Sequence, residues 1–304
     1  MRYGKNRFVI SFLALPALLY IVFVLVPYVG AMVLSLTRWS GVSTLDKVQF
    51  RGLMNFQKLL GDELFWQALS HNAIILLTQP IIIISLGLLF AALITQGVRG
   101  AKFFRIVFFF PQVMSVIIVA VLWSFIFHPT MGILNGALNA VLAPFGASVG
   151  KFPWLGDTST VLAACIAVAI WQAVGFYMVL FISGMQSIPE EYYEAARIDG
   201  ADRGAQFWRI TLPLLWETIR TAIVFLAIGA LDMYAYVTGL TNGSGGPSRA
   251  ANVLSTFYYQ QAFGGANNSN PFGYGAAIGV AILVITLGLS ILSLRFTRRD
   301  VLEF

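Results

Sequence analysis

Residues 187–213 read SIPEEYYEAARIDGADRGAQFWRITLP, Ser187 to Pro213, a polar interval in an otherwise apolar chain. Ser187 followed three positions later by Glu190 has the form of a capping box, with Pro189 in the first turn, where a missing N–H is tolerated. The helix it opens is expected to run about ten residues and to meet Gly200, a residue suited to the left-handed position that ends a helix. Asp202 is placed to cap a second helix over Arg203–Leu212, stopped by Pro213. A helix this short is marginal alone, because nucleation is costly and few bonds follow it. It therefore needs a surface. Ala195 and Ala196 would admit another backbone closely, while Glu190, Glu194 and Arg197 share one side for polar contact. The interval reads as a docking element for another protein.

Outward from it the chain is greasy. Of 304 residues, 58% are hydrophobic and 11% charged, against about a quarter charged in soluble domains. This is the composition of an integral membrane protein. The single cysteine, Cys165, lies in an apolar run, which excludes a disulfide framework and a thiolate metal site. The net charge of +6 is spread along the flanks of apolar stretches instead of forming one patch, so nucleic acid is not an expected partner.

Six apolar stretches are expected to span a membrane, at about 8–36, 71–95, 103–127, 160–186, 217–241 and 272–296. Each exceeds the roughly 20 residues that cross the hydrocarbon core. The first is too long for a signal peptide and has no convincing cleavage site after it. Pro80 is expected to break the second. Arg2, Lys5, Arg7, Arg99, Lys102, Arg105, Arg197, Arg203, Arg209, Arg220, Arg295, Arg298 and Arg299 fall on one side of this arrangement. Arg38, Lys47, Arg51, Lys58, Lys151 and Arg249 fall on the other. The richer side is cytoplasmic by the positive-inside rule, which puts both termini and the docking interval inside. The expected fold is one all-α transmembrane domain over residues 1–304 with six helices.

Glu194-Ala195-Ala196, Gly200 and Ile210-Thr211-Leu212-Pro213, at this spacing between apolar spans, resemble the EAA loop of ABC importer permeases. The resemblance extends through Arg105…Pro111, Trp123…Phe127-His128-Pro129…Gly132-Ile133-Leu134-Asn135 and Trp154-Leu155. It continues in Trp171…Gly175-Phe176-Tyr177, Gly245-Gly246-Pro247 and Tyr258-Tyr259…Ala262-Phe263. These look like carbohydrate-uptake family 1 permeases of the maltose/sn-glycerol-phosphate type. Departures are Ser244, inserted before Gly-Gly-Pro, and the absence of extra N-terminal helices that some relatives carry.

The resemblance implies a type I ABC importer permease fold in the cytoplasmic membrane. It implies ATPase docking by Glu190, Tyr193, Glu194, Ala195, Ala196, Asp199, Gly200, Ala201, Ile210, Leu212 and Pro213. It also implies a second homologous permease subunit, two ABC ATPase subunits that use ATP and Mg, and an extracytoplasmic solute-binding protein that delivers a sugar, an oligosaccharide or related carbohydrate. The residues agree by omission. No G-x-x-x-x-G-K-[ST] phosphate loop occurs, so this chain is expected to bind no nucleotide and no other cofactor, and to be no enzyme.

Two other classes compete with that reading. A membrane-embedded enzyme acting on lipid or glycan substrates would need a catalytic constellation, but the sequence has no H-x-x-x-H pair and no G-x-S-x-G elbow. His71 and His128 lack motif partners, and His71 reads as a solvated residue at a span end. A passive channel or scaffold would leave the docking interval unexplained.

For the substrate path, Asp232 reads as the only acidic residue deep in a span, ten residues or about 15 Å from Asn242 at a helical rise. Facing lipid there it would cost about 2.5–3.5 kcal/mol, so it should face the interior. Tyr236 lies one helical turn away, and Gln172 and Phe176 repeat the i,i+4 pairing, with Tyr177 adjacent. Together these residues offer hydrogen bonds and apolar ring faces for a sugar, or they bond neighbouring helices. Trp123 and Trp171 are expected to serve packing.

Overall fold

The computed structural model describes residues 2–41, 44, 48–263 and 272–296. Lys47, Arg298 and Arg299, counted above in the charge asymmetry, lie outside the described residues.

The first of two compact units is Met1–Phe65 with Phe257–Ile285. Helix α1 (Arg2–Tyr20) passes through a π turn, Ile21–Leu25, into α2 (Val26–Ser35). The wide turn has a local cause. Pro27 follows at the start of α2, where its ring would clash with the carbonyl four residues back, and a π turn re-spaces that ladder. The Val26 N–H accordingly reaches Ile21 O. Strands β1 (Thr37–Arg38) and β2 (Gln49–Phe50) pair antiparallel, and the Asn55 amide donates to the carbonyls of Ser35 and Thr37 at 2.7 and 2.9 Å. Helix α3 (Met54–Leu60) brings Lys58 over the ring of Tyr274 at 4.3 Å, and the buried Tyr274 hydroxyl donates to Asp62 at 2.6 Å.

The second unit is Trp66–Thr256 with Thr286–Phe304. It takes most of α4 (Glu63–Thr95), then α5 (Ala101–Val113), α6 (Val116–Ile126), α7 (Ile133–Leu142) and α8 (Val161–Gln186). After these come α9 (Glu190–Ile198), α10 (Arg203–Gln206), a second π turn (Phe207–Thr211), α11 (Leu212–Leu214), α12 (Trp216–Gly229) and α13 (Tyr234–Thr241). Helices α14 (Leu254–Phe263) and α15 (Phe272–Phe296) follow, each divided in sequence between the two units.

Helix α8 is the centre of this unit, with more than half of its 26 residues buried. Two apolar clusters meet along it. One joins Cys165, Val168 and Ala169 to Val119, Ala120, Met233 and Val237. The other joins Met178, Phe181 and Ile182 to Ile83, Leu215, Ile219 and Ala222. Apolar attraction is weak between helices already in lipid, so close fit and small residues decide such contacts. At Gly175 an added Cβ would lie 1.8 Å from Phe108 O, and at Gly239 it would lie 2.6 Å from the Ala120 methyl.

Among the described residues four helices are long and apolar enough to cross a membrane: Ser11–Ser35, Glu63–Thr95, Val161–Gln186 and Phe272–Arg295. The expected third span is instead two helices, α5 and α6, bent by 103° at Met114 and Ser115. The expected fifth span is also divided, because residues 230–233 between α12 and α13 are not helical. Asp232 therefore sits in a helix break. Pro80 lies inside an unbroken α4, where the rest of the ladder carries the helix past one missing bond.

Candidate functional site in the docking loop and the broken helices

The docking interval begins differently from the capping-box expectation. Pro189 holds the N-cap position with extended backbone, α9 starts at Glu190, and the Ser187 hydroxyl turns back to Gly184 O at 2.8 Å. Proline disfavours helical backbone at the residue before it, here Ile188, so α9 cannot begin earlier and Ser187 instead ends α8 as its C-cap. The far end follows expectation. Gly200 is left-handed at φ +77°; Ala201 N–H reaches Ala196 O at 2.8 Å and Gly200 N–H reaches Arg197 O at 3.1 Å. These two bonds form a Schellman motif. Asp202 caps α10 by accepting from Ala205 N–H at 2.6 Å.

Pro213 does not stop the second helix. The π turn over Phe207–Thr211 carries the chain past it, and the bend comes after Leu214, at 65° to α12. Both π turns thus end two residues before a proline, at Leu25 for Pro27 and at Thr211 for Pro213.

The loop is braced from within. The Tyr193 hydroxyl and Thr211 Oγ1 are 3.0 Å apart, and the Gln206 amide donates to Ala201 O at 2.9 Å. Tyr193, Ala196, Ala201, Ile210 and Leu212 are half-buried against this frame, whereas Glu190, Glu194, Ala195, Asp199, Gly200 and Pro213 are exposed. Ile198 was not picked out from the sequence, yet its side chain is 86% exposed at the last turn of α9. An apolar residue in the final turn of a polar helix was the available signal.

The two helix breaks are secured by buried amides. Gln172, 3% exposed, donates to Met114 O at 2.9 Å and accepts from the Tyr236 hydroxyl at 3.0 Å. It therefore ties α8 to the α5–α6 break and to α13. Asn72, 1% exposed, donates to Ala230 O at 2.7 Å and accepts from Leu254 N–H at 2.8 Å. Irregular backbone inside a bilayer persists where protein groups satisfy it, and these two side chains do so. Of the path residues read from the sequence, Gln172 and Tyr236 are brought together, and Asp232 is exposed four residues before Tyr236. Phe176 packs edge-on to Tyr177 at 5.2 Å, and Tyr177 is buried in the second apolar cluster. Trp123 and Trp171 pack edge to face at 5.4 Å.

The sequence profile of the family described as "Binding-protein-dependent transport system inner membrane component" matches residues 83–299. The chain belongs to this family. It is 35% identical over 297 residues to the diacetylchitobiose uptake system permease protein NgcF of Streptomyces coelicolor, covering 94% of this chain and 81% of that one. To the multiple sugar-binding transport system permease protein MsmF of Streptococcus mutans it is 31% identical over 289 residues, covering 95% and 94%. Among solved structures it resembles a chain from a bacterial ABC transporter involved in the import of the acidic polysaccharide alginate. That match has a TM-score of 0.80 at 23% identity and covers 97% of both chains.

Several residues that carried the resemblance have structural jobs in this multi-pass permease. Asn135 donates to the carbonyls of Pro129 and Phe152 and accepts from the Trp154 indole at 2.7 Å, knotting the loop between α6 and α8. An added Cβ at Gly132 would lie 2.3 Å from His128 O. His71 is no solvated end residue, since its Nδ1–H donates to Asn252 O at 2.7 Å.

Proposed function

We propose that this permease forms one half of the translocation path of an ATP-driven carbohydrate importer in the cytoplasmic membrane, with six spans and both termini inside. A second homologous permease supplies the other half. Two ABC ATPase subunits hold ATP and Mg, and an extracytoplasmic solute-binding protein delivers the sugar. Relatives named for diacetylchitobiose and multiple-sugar uptake support a carbohydrate cargo, as does likeness of fold to an alginate importer chain.

The observation that carries the coupling role is α9. This nine-residue helix is reversed by Gly200, braced through Tyr193, and presents Glu194 and Ile198 to its surroundings. Movement of an ATPase against α9 passes through Ser187–Pro189 into α8 and the broken helices, switching access by alternating exposure. Asp232 and Tyr236 meet the sugar, Gln172 orients Tyr236, and Phe176 with Tyr177 backs that wall. The test is reconstitution. Concentrative sugar uptake should need ATP and all subunits, and Glu194→Lys with Ile198→Asp should lose ATPase co-purification without losing membrane insertion. Concentrative uptake by this chain alone, or normal ATPase capture by the double variant, refutes the reading.

A further inference from the structure

Beside the docking loop lie two adjoining cavities. The first, about 390 Å³, is bounded by Tyr193 and Arg197 of α9, Arg203 and Gln206 of α10, and Gln96 beyond the end of α4. The second, about 500 Å³, is walled by Leu89 and Leu93 of α4 with Trp208 and Leu212. Ala92, Gln96, Arg203 and Phe207 line both. A polar end with two guanidinium groups therefore adjoins an apolar end along a membrane helix.

The charge at the polar end is not balanced locally. No Asp or Glu lines either cavity. Among the described residues Arg203 has no ion-pair partner, and the one ion pair of Arg197 is with Glu190, at 3.5 Å between two largely exposed side chains, its Nε also donating to Tyr193 O at 3.2 Å. Such a pair is worth little. At the apolar end Leu89, Leu93 and Trp208 are all exposed. Guanidinium groups suit phosphate oxygens, and basic pockets between membrane helices bind anionic headgroups.

We infer that the two cavities together hold one anionic phospholipid from the leaflet on the docking-loop side. Its phosphate sits on Arg203 and Arg197, and an acyl chain lies along α4 against Trp208. The lipid bridges α4 to α9 and α10, and so sets the posture of the docking loop. Glu194 and Ile198, which α9 presents outward, line neither cavity, whereas Tyr193 and Leu212 face the cavity side of the loop. The inference needs only the membrane placement that comes with the family. Its failure would leave the cargo and coupling readings standing, and theirs would leave it standing.

The test uses the full chain purified from an equimolar mixture of phosphatidylglycerol and phosphatidylcholine, with bound lipid read by native mass spectrometry. Phosphatidylglycerol should be retained in preference to phosphatidylcholine. Arg203→Gln and Arg197→Gln should each lower that retention about five-fold, as expected for loss of one cation near an anionic headgroup. Arg203→Lys should keep most of it. Arg209→Gln, which lines neither cavity, should change nothing. Millimolar inorganic phosphate should not displace the lipid.

Equal retention of the two lipids overturns the inference, as does retention unaffected by either glutamine variant. Displacement by phosphate alone also overturns it, in favour of a soluble-anion site. If a glutamine variant fails to fold, the wild-type lipid preference and the Arg203→Lys result decide.

Discussion

Two buried amides on α4 should respond oppositely to the same substitution. Asn72→Leu removes a donor to Ala230 O and an acceptor for Leu254 N–H. Ala230 O lies at the end of α12, where no further turn of helix can take it up. Each orphaned buried group costs about 1–3 kcal/mol, whereas hydrogen bonds inside membrane proteins average about 0.6 kcal/mol because unfolded segments find new partners. The higher scale applies to a fixed break, and the pair is expected to cost about 2–6 kcal/mol.

Gln79, 7% exposed, differs in that its Oε1 has no hydrogen-bond partner among the described residues. Gln79→Leu removes an orphan instead of making two, so it should be neutral or stabilising by up to about 1 kcal/mol. The assay is unfolding of the purified chain by titration with sodium dodecyl sulfate in mixed micelles, followed by tryptophan fluorescence. A cost below about 0.5 kcal/mol for Asn72→Leu, or equal costs at the two positions, refutes the account of how the break is held.

At Gly200, nothing lies within 4 Å of an added Cβ, so Gly200→Val should cost only the left-handed backbone, about 1–2 kcal/mol. Pull-down should show lost ATPase capture with normal insertion, and normal capture would contradict this. Gly175→Ala sets a methyl against Phe108 O and should abolish a monodisperse chromatographic peak; an unchanged peak would mean that α5 and α8 are not closely packed. Asp232→Leu should abolish uptake while sparing assembly, with Asp232→Asn retaining more activity, and undiminished uptake in Asp232→Leu places the residue outside the path. In the loop before α8, hydrogen bonds from the Ser159 hydroxyl and N–H hold the Asp157 carboxyl below its ordinary value. Its contribution to order is therefore complete above the usual carboxylate range and is lost as pH falls through the lowered value. Protection of the Ser159 amide from exchange should fall there and not in Asp157→Asn, and a matching fall in that variant would rule out the carboxyl as its cause.

The apolar stretches and the turn residues of the interval 187–213 were legible because composition and turn chemistry are local. Gly200 and Asp202 act on their own neighbours, and an apolar run declares itself without reference to the fold. The breaks were not legible. Pro111 and Gly229 lie beside them, but the helix also runs on past Pro80, and what holds the Met114 and Ala230 carbonyls is Gln172, 58 residues from one, and Asn72, 158 residues from the other. Gln172 was singled out as a path residue from its depth and its spacing to Phe176, but its bonds to two other helices are tertiary facts. Proline was misread in three ways. At Pro80 the helix continued, at Pro189 it began one residue later, and at Pro213 a π turn absorbed the ring. Each outcome depends on how the surrounding ladder re-spaces, which a single residue type does not announce.

The contact at Gly175 also has a mechanical meaning. Helix α8 is 26 residues long, about 39 Å at the helical rise, and Gly175 lies about 17 Å from its docking-loop end and about 21 Å from the other. Backbone presses on backbone there, with no side chain between to deform. A rod held at such a point behaves as a lever near its balance, with an arm ratio of about 1.3. Under the coupling proposed above, a push of a few ångströms on α9 would reappear at the Val161 end slightly enlarged and opposite in direction. One side of the membrane would then open as the other closes, with no need for the helix itself to bend.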